Sequence, residues 1–134
     1  MSQPLQLLHQ LLLPEPLSSH FEIVSYSEKS ELLILRLEEL KELVPEGLSN
    51  EKGIVLDGFC NQLELQTFPL KGKAVYLHVY RRRWKLAGTN RHFSNQYDLH
   101  PPGVKATKEF ASFLKGALGQ TPGEHNAYRD RFMH

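Results

Sequence analysis

The stretch from Lys73 to Lys85, KAVYLHVYRRRWK, decides the fold because it joins an apolar strand to a cluster of charge. Its first eight residues alternate with a period of two, and neither face is truly polar. This pattern predicts a central strand that is covered on both sides. Cations around a tryptophan follow, namely Arg81, Arg82, Arg83, Trp84 and Lys85. Because close cations repel one another, folding gains nothing from grouping them, whereas binding a polyanion would. A solvated strand end beside a carboxylate-rich neighbour explains the cluster about equally well from composition alone.

The charge of the chain is divided between its two halves. Residues 1–70 carry 4 Lys and Arg against 11 Asp and Glu, a net of −7. Residues 71–134 carry 12 against 4, a net of +8. One half therefore has the charge to meet a polyanion, while the other keeps the molecule soluble or docks with it. The length of 134 residues fits one domain with a real core.

Residue usage excludes several classes of site. Cys60 is the only cysteine, so a disulfide framework and a cysteine-based zinc site are excluded. The 7 histidines are scattered, and we find neither a glycine-rich phosphate loop nor a nucleophile paired with a base. We therefore expect no enzyme activity, no cofactor and no bound metal. The leucine run 11–13 is ended by Pro14, too early for a signal peptide or a membrane helix, which favours the cytoplasm.

The acidic half predicts a helix and a hairpin. Leucines at helical spacing favour a helix from Pro4 to Leu13 that covers the sheet. The segments His20–Tyr26 and Glu31–Leu37 read as two antiparallel strands. From Glu38 the pattern fits either a helix or a solvated segment. Residues 45–53, rich in Pro, Gly, Ser and Asn, predict a loop that is the hinge between the acidic and basic halves.

The basic half predicts two more strands and a helix. Strands are expected over Gln62–Phe68 and Arg91–Leu99, on either side of the Lys73–Lys85 strand. Thr107–Leu118 has a capping threonine and an apolar stripe typical of a helix. The expected fold class is α+β, with an N-terminal helix, antiparallel hairpins forming a small, cysteine-less, ribbon-like sheet, and a C-terminal helix. An acidic part (1–57), a basic part (58–118) and a disordered tail (119–134) divide the chain.

The candidate site is the basic surface of the second part. Along a continuous strand, Arg81, Arg83 and Lys85 point one way, while Arg82 and Trp84 point the other. Basic side chains on a β-ribbon beside a helix N-terminus suit phosphate contacts, and an aromatic ring can stack or wedge. The candidate nucleic-acid-binding residues are Lys71, Lys73, Arg81, Arg82, Arg83, Trp84, Lys85, Arg91, Lys105 and Lys108.

A family resemblance is carried by three motifs: FPLKGK (68–73), VYLHVYRRRW (75–84) and TKEFASFLK (107–115). Together with LPEPLSSHFEIVSY (13–26), they resemble the N-terminal region protein of bacterial insertion-sequence transposases of the Aon type. The resemblance covers about residues 4–118. More distantly, the hairpin is similar to the zinc ribbon of related transposases, with KLAG (85–88) standing where the cysteines would be.

The resemblance implies a non-catalytic, DNA-binding part of a transposase that recognises double-stranded DNA at the transposon ends. It places the catalytic acids on a separate or frameshift-fused polypeptide, which becomes the expected protein partner. A homodimer is compatible with this role, and no membrane takes part. The alternative, from a different class, is a protein-interaction adaptor whose basic face meets an acidic partner.

Overall fold

The computed structural model describes His9 and residues 11–118, which form two sheets flanked by helical segments. The α+β class expected from the sequence is confirmed. The helices are α1 (Leu17–His20) and α2 (Lys108–Leu118). The strands, in chain order, are β1 (Phe21–Lys29), β2 (Leu32–Glu39), β3 (Ile54–Phe59), β4 (Leu63–Leu70), β5 (Lys73–Tyr80), β6 (Arg82–Leu86) and β7 (His92–Phe93).

The first sheet has four strands in the order β1-β2-β5-β4. The predicted hairpins β1–β2 and β4–β5 are antiparallel, and they meet through a parallel pair, β2 with β5. The pairing of β2 with β5 also joins the acidic part to the basic part in one sheet. The boundary near residue 57 falls within β3 and does not separate the two sheets.

A two-residue turn sets the register of the β4–β5 hairpin. Leu70 pairs with Lys73, and the two residues between them, Lys71 and Gly72, have φ values of 49° and 77°. Positive φ at both central residues is what a type I′ turn needs, and that turn matches the twist of antiparallel strands. Pro69, which has no N–H to donate, lies where the register of β4 shifts.

The main core lies on one face of the first sheet. Alternate residues of β2, β4 and β5 point into it, as the period-two pattern predicted. Leu13 and Leu17 cover it from the N-terminal side and Leu99 from the C-terminal side. On β5, four consecutive residues from Ala74 to Leu77 are buried, which confirms the central strand. The buried members of this core are Leu13, Leu17, Phe21, Leu35, Leu37, Leu65, Val75, Leu77, Val79 and Leu99.

The second sheet corrects three predictions. Lys73–Lys85 is not one strand: it breaks at Arg81, and β6 continues in a separate sheet of order β3-β6-β7. Strand β3 was not predicted, because its residues are mostly half-exposed and lack a clean alternation. The returning strand has only two residues, His92–Phe93, in place of Arg91–Leu99. Beyond it the chain leaves the sheet, because Leu99 packs into the main core instead.

Helix α2 confirms the predicted C-terminal helix. Thr107 precedes it and accepts a hydrogen bond at Oγ1 from the N–H of Phe110 at 3.3 Å, as an N-cap does. Phe110 and Leu114 are buried in a second apolar cluster, whereas Phe113, predicted to share their stripe, is half exposed. The segment before α2 lies along β4, where Gln66 exchanges two backbone hydrogen bonds with Lys105 and Thr107.

The remaining predictions concern the termini and residues 38–53. His9, Leu11 and Leu12 are helical, while most of the predicted Pro4–Leu13 helix and all of the predicted tail lie outside the described residues. The ambiguous segment after Glu38 is the end of β2 followed by turns, and residues 45–53 form the predicted loop. Within the described part of the chain, no helix has the length and apolar character needed to cross a membrane.

Candidate nucleic-acid interface

The passage from β5 to β6 is fixed by a buried carboxylate that sequence reasoning missed. Glu39, at the end of β2, is 0% exposed. One of its carboxylate oxygens accepts the N–H of Arg82 at 2.8 Å. The other accepts the side-chain amide of Asn95 at 3.0 Å and the hydroxyl of Tyr97. A buried charge is tolerated when donors surround it in this way, so Glu39 holds three distant segments together.

Arg82 and Trp84 are the inward residues of β6. Arg82 is 9% exposed, and its Nε donates to the backbone oxygen of Glu39 at 2.8 Å. Its guanidinium lies 4.7 Å from the centre of the Phe59 ring. Trp84 is also buried and lies in register between Leu56 and Phe93. Both side chains anchor the strand, and burial keeps them from reaching an external ligand, contrary to the expectation that they contact DNA.

Arg83 and Lys85 are the outward residues of β6, as the alternation predicted. Arg83 is exposed. Its Nε donates to the backbone oxygen of Asp57 at 2.9 Å, and its other nitrogen lies 3.3 Å from the Asp57 carboxylate. Lys85 pairs across the sheet with Val55 on one side and His92 on the other. We call this surface, formed by Val55, Asp57, Arg83, Lys85 and His92, the outer face of the second sheet.

Two further cations border the outer face. Arg91 is exposed immediately before β7, and its guanidinium lies 5.3 Å from the centre of the Phe93 ring. Arg81, at the break between β5 and β6, donates to the backbone oxygen of Asn95 at 2.9 Å. Opposing them, Asp57 binds Arg83 and also lies 2.8 Å from His92 Nε2. The accessible cations here are therefore Arg83, Lys85 and Arg91, with one carboxylate among them.

Lys71 and Lys73 lie at the other end of β5, away from the outer face. Eight residues of strand at about 3.3 Å each separate the ends of β5 by roughly 23 Å. Lys73 donates to Glu28 at 2.7 Å and to the backbone oxygen of Lys29 at 2.8 Å. The hydrogen bond from Lys73, followed by its charge, lowers the pKa of Glu28. Lys73 supports the β1–β2 hairpin, and neither lysine extends the outer face.

Lys105 and Lys108 flank the start of α2. Both are exposed, and Lys108 donates to Asp98. Their segment lies along the middle of β4, since Gln66 is bonded to it and is itself paired with Tyr76 on β5. The ten predicted residues thus divide into three groups. The outer face with its border is the only group that brings several of the accessible cations onto one strand pair.

Tyr97 is the second residue that the sequence did not reveal. Its hydroxyl donates to Glu39, and its ring meets the rings of Phe21 and His20 edge-on, with centroids 5.2 and 5.4 Å apart. Burial, then the hydrogen bond to Glu39 and its negative charge, raise the pKa of Tyr97 above its usual value. Its position fixes the chain between β7 and Leu99.

His78 and Cys60 lie outside the candidate interface. The Nε2 of His78, on β5, lies 2.8 Å from the Glu64 carboxylate. Cys60 is a free, half-buried thiol. Across residues 11–118 and His9, no group of three or more His, Cys, Asp or Glu side chains could hold a metal ion. Compared with protein-family models, curated proteins and solved structures, the chain has no match.

Proposed function

We propose that this chain is the non-catalytic, DNA-binding N-terminal region of an insertion-sequence transposase, acting in the cytoplasm on transposon ends. The observation that carries the proposal is that alternate residues of β6 are buried on one face and project from the other. Arg82 and Trp84 fix the strand from behind, while Arg83 and Lys85 project from the opposite face. A strand held in this way presents cations at a fixed spacing, which is what contact with a phosphate backbone needs.

The geometry suits a β-ribbon docked against duplex DNA. Antiparallel strands can lie in a groove of the duplex, and β-ribbon proteins read DNA in this way. Arg83 can donate two hydrogen bonds to one phosphate after it leaves Asp57. Alternatively, it can keep its contact with Asp57 and donate a further hydrogen bond to the phosphate. Lys85 and Arg91 add positive charge near Arg83. Glu38 and Glu39 of the acidic part lie behind β6, whereas Asp57 is the one carboxylate on the outer face.

The experiment measures binding of terminal-repeat duplex and of unrelated duplex over a range of salt concentrations. Three phosphate contacts, from Arg83, Lys85 and Arg91, would give a log–log slope of about −3, since each contact contributes roughly −0.9. Tighter binding to the terminal repeat than to unrelated duplex, with this slope, supports the proposal. Absence of binding at low salt overturns it.

The second candidate function is a protein-interaction adaptor. One observation favours it: Phe68 and Phe113 place their rings 5.4 Å apart and are 39% and 49% exposed. Exposed aromatic pairs of this kind are common at protein interfaces. Leu70 and Leu12 extend this apolar surface. Affinity for an acidic protein partner, together with no affinity for DNA, would favour the adaptor over the DNA-binding module.

A further inference from the structure

Strand β1 is the free edge of the four-stranded sheet. It pairs with β2 on one side, and no described strand pairs with its other side. The opposite edge, β4, is covered at Gln66 by the segment before α2. Seven of the nine residues of β1 are exposed. A long free edge offers unpaired N–H and C=O groups to another strand, and proteins usually cover or blunt such edges.

A row of core side chains runs out to this edge. Leu65, Leu77 and Leu35 are adjacent on β4, β5 and β2 and are buried. The next residue of the row, on β1, is Tyr26, which pairs with Leu35 and is 70% exposed. The layer that covers the core therefore stops before β1. A strand added beside β1 would continue the row and cover the ring of Tyr26.

The charged residues of β1 indicate which strand could pair with its free edge. The strand has a bulge between Ile23 and Ser25, so Val24 is the extra residue. When two copies of β1 pair antiparallel about a two-fold axis at Tyr26, Ser25 faces Ser27 of the other copy. Because Val24 is skipped, Glu22 then faces Lys29 on the same side of the sheet. Two opposite-charge pairs and a Tyr26–Tyr26 contact result, which makes the edge complementary to itself.

We propose that the partner of this edge is a second copy of the chain, bound through antiparallel pairing of β1 with β1 about Tyr26. The pairing joins the two four-stranded sheets into one continuous eight-stranded sheet. It satisfies the edge backbone groups of both copies and merges their two core rows across the axis. The proposal is independent of DNA binding, since β1 and the outer face belong to different sheets.

The test measures molar mass by light scattering at several concentrations of the full chain. The wild type is expected to reach twice the 15.4 kDa of one chain. Because Tyr26 faces itself, Tyr26→Lys alone and Tyr26→Glu alone each place like charges on the axis, and each variant should be monomeric. An equimolar mixture of the two variants should recover the dimer. Circular dichroism checks that both variants fold, as the exposure of Tyr26 leads us to expect.

A second pair of variants tests the register without touching Tyr26. Glu22→Lys and Lys29→Glu each replace two opposite-charge pairs with like-charge pairs, which should raise the dimer dissociation constant about tenfold or more. Combining both substitutions in one chain should restore it. As a matched control, Phe113→Lys alters the apolar surface on α2 and should leave the dimer unchanged. A monomeric wild type, a Tyr26→Lys dimer, a mixture that stays monomeric, or a dimer lost with Phe113→Lys would each overturn the proposal.

Discussion

Glu39 and Arg82, which are 43 residues apart in the chain, are joined by two hydrogen bonds of 2.8 Å. The backbone N–H of Arg82 donates to the Glu39 carboxylate, and the guanidinium Nε donates back to the Glu39 carbonyl. The pair ties the end of β2 to the start of β6, and so connects the first sheet to the second. It also explains why β5 and β6 are separate strands, since Arg81 turns the chain toward this contact.

Replacing Glu39 with alanine should destabilise the whole fold. The substitution leaves the N–H of Arg82 and the hydroxyl of Tyr97 without their acceptor, whereas the amide of Asn95 keeps its hydrogen bond to the backbone oxygen of Leu43 at 2.6 Å. Unsatisfied buried donors cost about 1–3 kcal/mol each, so we expect a loss of about 3 kcal/mol or more in the free energy of unfolding. Urea denaturation measures it. Glu51→Ala, which removes an exposed carboxylate from the loop before β3, is the control and should have little effect.

The hydroxyl of Tyr97 should make stability fall at alkaline pH. The pKa of Tyr97 is raised in the folded state from its usual 10.0. Above about pH 10 the unfolded chain therefore loses this proton while the folded chain keeps it. Fewer protons bound in the unfolded state means that the free energy of unfolding decreases as pH rises. Below pH 10 the contribution is fully present.

Tyr97→Phe isolates this effect from the other tyrosines. The variant should be less stable at pH 7 by about 1 kcal/mol, because Glu39 loses one hydrogen bond. Between pH 10 and 11, however, its stability should fall less steeply than that of the wild type. Parallel curves for wild type and Tyr97→Phe would contradict the assignment.

Local patterns predicted much of the fold, and long-range pairing decided the rest. The β5 alternation, both hairpins and the Thr107 cap depend on neighbouring residues, and they were predictable. Strand β3 was not, because it gains its order from pairing with β6. Glu39 lies in a run of acidic residues that reads as a solvated segment. Its partners Arg82, Asn95 and Tyr97 are 43, 56 and 58 residues away, so no local signal marks it as buried.

Dependence on long-range contacts also explains why the sequence did not show which candidate site residues are buried. Alternation along the RRRW motif correctly divided its residues between two faces. The alternation did not show which of the two faces would be buried, because that depends on the contact of Arg82 with Glu39 on another strand. Charge alone also grouped Lys71 and Lys73 with the arginines, although β5 holds them at its opposite end.

Arg82→Ala and Arg83→Ala should have different effects. Arg82→Ala removes a buried, charge-assisted hydrogen bond to Glu39, which should cost about 2 kcal/mol of stability. Arg83→Ala should leave stability nearly unchanged, but it should weaken DNA binding and reduce the magnitude of the salt slope by about 1. Denaturation and duplex binding, measured on both variants, separate the two roles. Lys71→Ala is the control for loss of a distant cation and should bind DNA as the wild type does.

The last prediction is that this chain binds transposon-end DNA without cutting it. Transposition chemistry needs carboxylates that together hold divalent metal, which activates water and a 3′ hydroxyl. Five carboxylates of the described region are instead held by basic side chains of the same chain. These pairs are Glu28 with Lys73, Glu38 with Arg36, Asp57 with Arg83, Glu64 with His78, and Asp98 with Lys108.

We therefore expect purified protein, with Mg²⁺ or Mn²⁺, to bind terminal-repeat duplex and leave both strands intact in a denaturing gel. Adding the product of the adjacent reading frame, or fusing it after Leu118, should restore strand transfer, because the second polypeptide then supplies the metal-binding acids. Arg83→Ala should lower the yield of that reconstituted reaction through weaker binding, and the Lys71→Ala control should not. Metal-dependent nicking by this chain alone, persisting through further purification, would show that it carries an active site of its own.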